Sequence, residues 1–90
     1  MRIENVLGSK TRLKILRILY QVGGLNVSEI ARRVGANHKA TLRHLEILEN
    51  EGLLSHKTFG RVKIYRFKEG SQKATAIQKF FEEWEKAEKP

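Results

Sequence analysis

The sequence predicts a mostly α-helical domain carrying one β-hairpin, and three observations predict it. Four stretches repeat apolar residues at helical spacing, and one stretch near residue 60 alternates at strand spacing. Between two of the helical stretches stands only Gly35-Ala36-Asn37. Two short helices joined so tightly cannot lie antiparallel; they cross steeply, as in a helix-turn-helix.

In chain order, Ile3, Val6 and Leu7 form a short apolar lead-in broken at Gly8. Ser9 is the cap of a helix over about residues 10–22, which Gly23-Gly24 ends. Its apolar positions cover an arc of about 220°, roughly twice what one packed face needs, so it must be covered from two sides. Asn26 caps the next helix, and Glu29 three residues on completes a capping-box pattern. Ile30, Ala31 and Val34 carry its apolar side, and Gly35 suits the left-handed residue after its end. Asn37 caps the second helix of the pair, about 38–51, in which Thr41, Leu42, Leu45 and Leu48 share an arc of about 120°.

Leu53–Thr58 and Val62–Phe67 flank Phe59-Gly60-Arg61 and read as two antiparallel strands, with Gly60 supplying a positive φ in the turn. From Ser55 to Lys68 there are five Lys or Arg and no acid, so this hairpin has the character of a wing. Tyr65 and Phe67 supply its buried face. Gly70-Ser71 opens a last helix, about 72–88, where Ala74, Ile77, Phe81 and Trp84 recur at spacings of three and four, with Phe80 beside them. The whole reads as a winged helix-turn-helix: a three-helix body with a wing over residues 1–70, and a C-terminal amphipathic helix over 71–90 packed on the same domain.

Composition narrows the function. Ninety residues make one small domain, and the formal charge of +8 favours a polyanionic partner. Residues 1–71 hold 14 Lys and Arg against 6 acids, which is the whole of that charge, whereas residues 72–90 hold four Lys and four Glu. A basic body and a neutral tail imply different jobs. The chain has no Cys, hence no disulfide framework or thiolate metal site, and no apolar run long enough for a membrane span or signal peptide. A cytoplasmic protein is expected, and the abundance of Lys and Glu suits a thermophile. No nucleophile with a base, paired acidic cluster or glycine-rich phosphate loop is present, so no enzyme and no cofactor is expected.

The segments LGSKTRLKIL at 7–16, VSEIARRVGANHKATLRHLEILENEGLL at 27–54 and GRVKIYRF at 60–67 resemble, in order and spacing, the ArsR-type winged-helix transcriptional regulators, especially short archaeal members. The resemblance implies a homodimer that inserts the second helix of the pair into a DNA major groove. Metal-sensing members carry a Cys pair near that helix, or Asp and His ligands on the last one; this chain has neither, so no metal partner is implied. Leu42 stands where many members have a small polar residue.

On the helical wheel Lys39 and Arg43 lie one turn apart on the face opposite Leu45, with His44 at its edge. Asn37, His38, Lys39, Thr41, Arg43 and His44 are the candidate contacts of the recognition helix with double-stranded DNA; Lys57, Arg61 and Lys63 are those of the wing, about 55–67, with the backbone or minor groove. The bland alternatives are a solvated helix face and a charged strand edge that discourages pairing. His38, His44 and His56 do not share a face and make no metal site. Ile15 and Leu19 on the first long helix, with Ile77, Phe80, Phe81 and Trp84 on the last, are the expected dimer surface. Two rival functions use the same fold: a protein-interaction module of a larger complex, and a chromatin-type binder indifferent to DNA sequence.

Overall fold

The computed structural model describes residues 2–89. Five helices and three strands follow one another as α1 (Ile3–Leu7), α2 (Lys10–Val22), β1 (Leu25–Asn26), α3 (Val27–Val34), α4 (His38–Asn50), β2 (Leu54–Phe59), β3 (Val62–Phe67) and α5 (Gln72–Glu88). The architecture is the winged helix-turn-helix that the sequence predicts, and the apolar lead-in is itself a short helix, α1.

Side-chain caps set the start of each longer helix. Ser9 Oγ accepts from the Arg12 amide at 3.2 Å, Asn26 Oδ1 from Glu29 at 2.8 Å, Asn37 Oδ1 from Ala40 at 2.7 Å and Ser71 Oγ from Ala74 at 3.1 Å. Each satisfies an amide the helix leaves unpaired, worth about 1 kcal/mol. Ser71 Oγ also donates to the Gly52 carbonyl at 2.7 Å, which fixes where α5 begins relative to the end of α4. The capping box at Asn26 is only half formed: the Glu29 carboxylate turns to Arg32 and Arg33 instead of returning to the cap. Gly35, at φ 72° and ψ 33°, ends α3 in the left-handed conformation and turns the chain directly into α4.

The sheet has three strands in the order β1-β3-β2, not the two-stranded hairpin expected. Leu25 pairs with Tyr65 and Asn26 with Ile64, while β2 and β3 pair from Leu54–Phe67 out to Phe59–Val62. Gly24 lets β1 come this close, since a Cβ there would stand 2.9 Å from Ile64 Cγ2. Gly60 alone takes positive φ in the two-residue turn, with Arg61 second, the pattern of a type II′ hairpin.

The core gathers Ile15, Leu16 and Leu19 of α2, Ile30 and Val34 of α3, Leu45 and Leu48 of α4, Leu54, Tyr65, and Ile77 and Phe81 of α5. The wide apolar arc of α2 is covered within the chain by several elements, α1, α3, α4 and α5 together with β3. This corrects the expected dimer surface. Ile15 and Leu19 are 0% and 2% exposed within their own chain, and Ile77 and Phe81 bury themselves against the same core. Helix α5 folds back on α2, held at its far end by Glu85, which accepts from Gln21 at 3.0 Å and pairs with Arg17 at 3.4 Å. Phe80 and Trp84 remain half exposed.

Candidate nucleic-acid interface

Burial of Thr41, Leu45 and Leu48 fixes how α4 is turned on the body. The opposite face then carries Lys39 and Arg43 outward, one turn apart and both exposed, with Asn37 and His38 exposed at the helix start. Thr41 is 0% exposed and its hydroxyl points into the core without a partner, so it is no DNA contact; its methyl group packs as an apolar residue would.

His44, partly buried, has a partner inside its own chain. Its Nδ1 lies 3.2 Å from Arg12 Nη1, and the same guanidinium donates to the Val6 carbonyl at 3.3 Å and to that of Asn5. A guanidinium has no acceptor, so His44 Nδ1 must accept and carry no proton. Burial first, then the charges of Arg12 and Arg43, hold the His44 pKa below its ordinary value. His44 thus ties α4 to α1 through Arg12. A group whose pKa is lowered on folding contributes stability above its unfolded pKa and loses it as pH falls through the folded value. The melting temperature should therefore drop as the pH falls below about 6.5. Scanning calorimetry of His44→Gln should show a shallower drop over that range.

The wing projects beside α4. Lys57, Arg61 and Lys63 are all exposed, with Arg61 in the turn. At its root His56 Nδ1 meets Glu49 Oε2 of α4 at 2.6 Å, and its ring lies 5.1 Å from the Tyr65 ring. This pair joins the wing to the far end of the recognition helix. No sequence pattern announces it, because the six intervening residues include a turn and a change of element. A groove of about 340 Å³ separates wing from helix, bordered by Ser28, His38, Leu42, Arg61, Val62 and Lys63.

Charge pairing divides the cations into two groups. Arg32 and Arg33 are held by Glu29, whose pKa they lower to about 2; Arg17 meets Glu85, Arg66 meets Glu69, Lys73 meets Glu51 and Lys86 meets Glu82. Lys39, Arg43, Lys57, Arg61 and Lys63 have no acidic partner among the described residues. Arg2, Lys10, Arg12, Lys14, Lys68, Lys79 and Lys89 also lack an acid among the described residues, but α4 and the wing are where such cations stand exposed on neighbouring elements with no acid paired to them. Among the described residues no cluster of His, Asp or Glu could hold a metal ion, and no helix is long and apolar enough to cross a membrane.

Comparison with known proteins agrees with this arrangement. Residues 9–56, just over half of the chain, match the family described as "Bacterial regulatory protein, arsR family". A search of the curated proteins gave no match. Among solved structures, HlyU from Vibrio cholerae superposes with a TM-score of 0.77 at 22% identity, over 89% of this chain and 84% of that one. The antimony-specific transcriptional repressor AntR gives 0.75 at 28% identity, over 93% and 75%. The homodimeric winged helix-turn-helix DNA-binding domain of a possible ArsR-family regulator from Mycobacterium bovis gives 0.72 at 26% identity, over 92% and 71%. With the family pattern running from the cap of α2 into β2, and the fold matching throughout, the chain belongs to the ArsR family of winged-helix transcriptional regulators, which bind DNA and are not enzymes.

Proposed function

We propose that the protein is a homodimeric regulator that recognises a specific double-stranded DNA sequence, with α4 in the major groove and the wing on the backbone or minor groove. The observation that carries this reading is the placement of five exposed cations on two neighbouring elements, two on the outward face of α4 and three on the wing, none of them paired to an acid among the described residues. Lys39 and Arg43 sit in the N-terminal half of α4, the part of a recognition helix that meets base edges. Asn37 and His38 flank them, and Lys57, Arg61 and Lys63 provide phosphate contacts. His44 and Thr41 support α4 from within.

The dimer is proposed to form through what α2 and α5 leave uncovered. Phe80 and Trp84 stack at 6.1 Å between centroids and border a groove with Leu13, Lys10, Lys14 and Arg17. The homodimeric Mycobacterium bovis domain, similar over most of this chain, supports that assembly. A two-fold dimer sets its recognition helices about one DNA turn apart and so calls for a near-palindromic site.

Binding to random and to selected duplexes at two salt concentrations tests the reading. A dimer using six to ten phosphate contacts loses roughly 10³–10⁵ in affinity between about 50 and 200 mM salt, through release of condensed counterions. Selection of bound sequences should then converge on a near-palindrome. Affinity that is flat with salt argues against nucleic acid altogether. Steep salt dependence with no convergence leaves a chromatin-type binder.

A further inference from the structure

At the wing tip two apolar side chains stand where nothing in the chain covers them. Phe59 is 63% exposed and its cross-strand partner Val62 is 45% exposed. Burial fades along both strands, so that Lys57, Thr58 and Phe59 on β2 and Val62 and Lys63 on β3 stand clear of the core. That free segment reaches about 10 Å, at roughly 3.3 Å per residue. The apolar pair is closely surrounded by cations: Arg61 lies in the turn between the two residues, with Lys57 and Lys63 behind them. Val62 also borders the groove that His38 and Leu42 of α4 line, so its side of the tip adjoins α4.

An aromatic side chain at the end of a basic hairpin is in an unfavourable place in water and a useful one on DNA. The cations draw the tip to phosphate, and the minor groove, about 6 Å wide, is too narrow for a two-stranded ribbon with its side chains. The tip therefore reaches it through single side chains. Apolar residues presented this way act as wedges that part a base step and bend the duplex. The cross-strand contact of Phe59 with Val62 stabilises the hairpin to a small extent, but it leaves most of the ring uncovered.

We propose that Phe59, backed by Val62, is a minor-groove wedge that bends the DNA on which the protein sits. Flexible pyrimidine–purine steps are the ones it should favour, because they part most easily. This rests on the DNA-binding reading above and adds a site, a distortion and a step preference to it.

The test uses the full chain and a duplex recovered by selection, end-labelled for energy transfer and carrying 2-aminopurine at steps within reach of the wing. The unmodified protein should bend the duplex by an angle within about 20–90° and raise 2-aminopurine fluorescence at one step per half-site. Phe59→Thr keeps strand propensity but removes the wedge; it should lose both signals while affinity stays within about tenfold. Phe59→Leu should restore both. A straight duplex in the wild-type complex, or equal bending by Phe59→Thr, overturns the wedge while leaving DNA binding intact. A wild-type chain that forms no complex at low salt removes the DNA-binding reading and the wedge with it.

Discussion

Replacing Phe80 and Trp84 together by alanine should give a monomer that keeps its fold and binds a selected site 10²–10⁴-fold more weakly, about the factor lost when two linked binding events become separate. Both rings are half exposed, so their removal takes little from the core of the single chain. Phe81 is the opposite case. It lies 4% exposed with its ring 5.6 Å from that of Tyr20, and Phe81→Ala should cost about 3–5 kcal/mol of folding stability whether or not a dimer forms. Sedimentation at tens of micromolar separates the two effects: the double variant should run as a folded monomer and the wild type as a dimer. A monomeric wild type would remove the assembly proposed here. Anisotropy titrations on the same samples give the affinity ratio.

Arg43→Ala and Lys39→Ala should each reduce discrimination between the selected site and random duplex by about 1–3 kcal/mol, the worth of a good base contact. Arg61→Ala should weaken both duplexes by similar factors, because a wing cation on phosphate reads charge and not sequence. The contrast follows from position: Arg43 and Lys39 face outward from α4, whereas Arg61 occupies the hairpin turn. Competition titrations with both duplexes decide it. Equal losses for all three variants would mean that α4 reads only phosphate.

What could be read from sequence was whatever depends on a few neighbouring residues. Ser9, Asn26, Asn37 and Ser71 are caps because their side chains reach amides three residues on, and Gly35 is a helix end because its φ is positive; both signals are local. The outward placement of Lys39 and Arg43 followed from the period of α4 alone. Strand β1 was not legible, because two residues show no alternation and become a strand only by meeting β3. Thr41 misled because a polar type occupies a core position. The contact of His44 with Arg12 is not legible either, because the two residues are 32 apart in the chain. The division of the apolar residues between core and free surface is not local either. Spacing told that α2 and α5 each had much to bury, but not that they would bury Ile15, Leu19, Ile77 and Phe81 against one chain's core.

Asn26 belongs to two elements at once. Its backbone pairs with Ile64 in the sheet, and its side chain caps α3 at the Glu29 amide. The wing root and the first helix of the helix-turn-helix are thus geared through one residue. Swinging the hairpin by any large angle would shear that pairing and unseat the first turn of α3. The angle between wing and recognition helix is consequently settled when the chain folds, before any duplex arrives. Little ordering entropy is then left to lose at the encounter, and changes in DNA sequence should act mainly on how long the complex lasts.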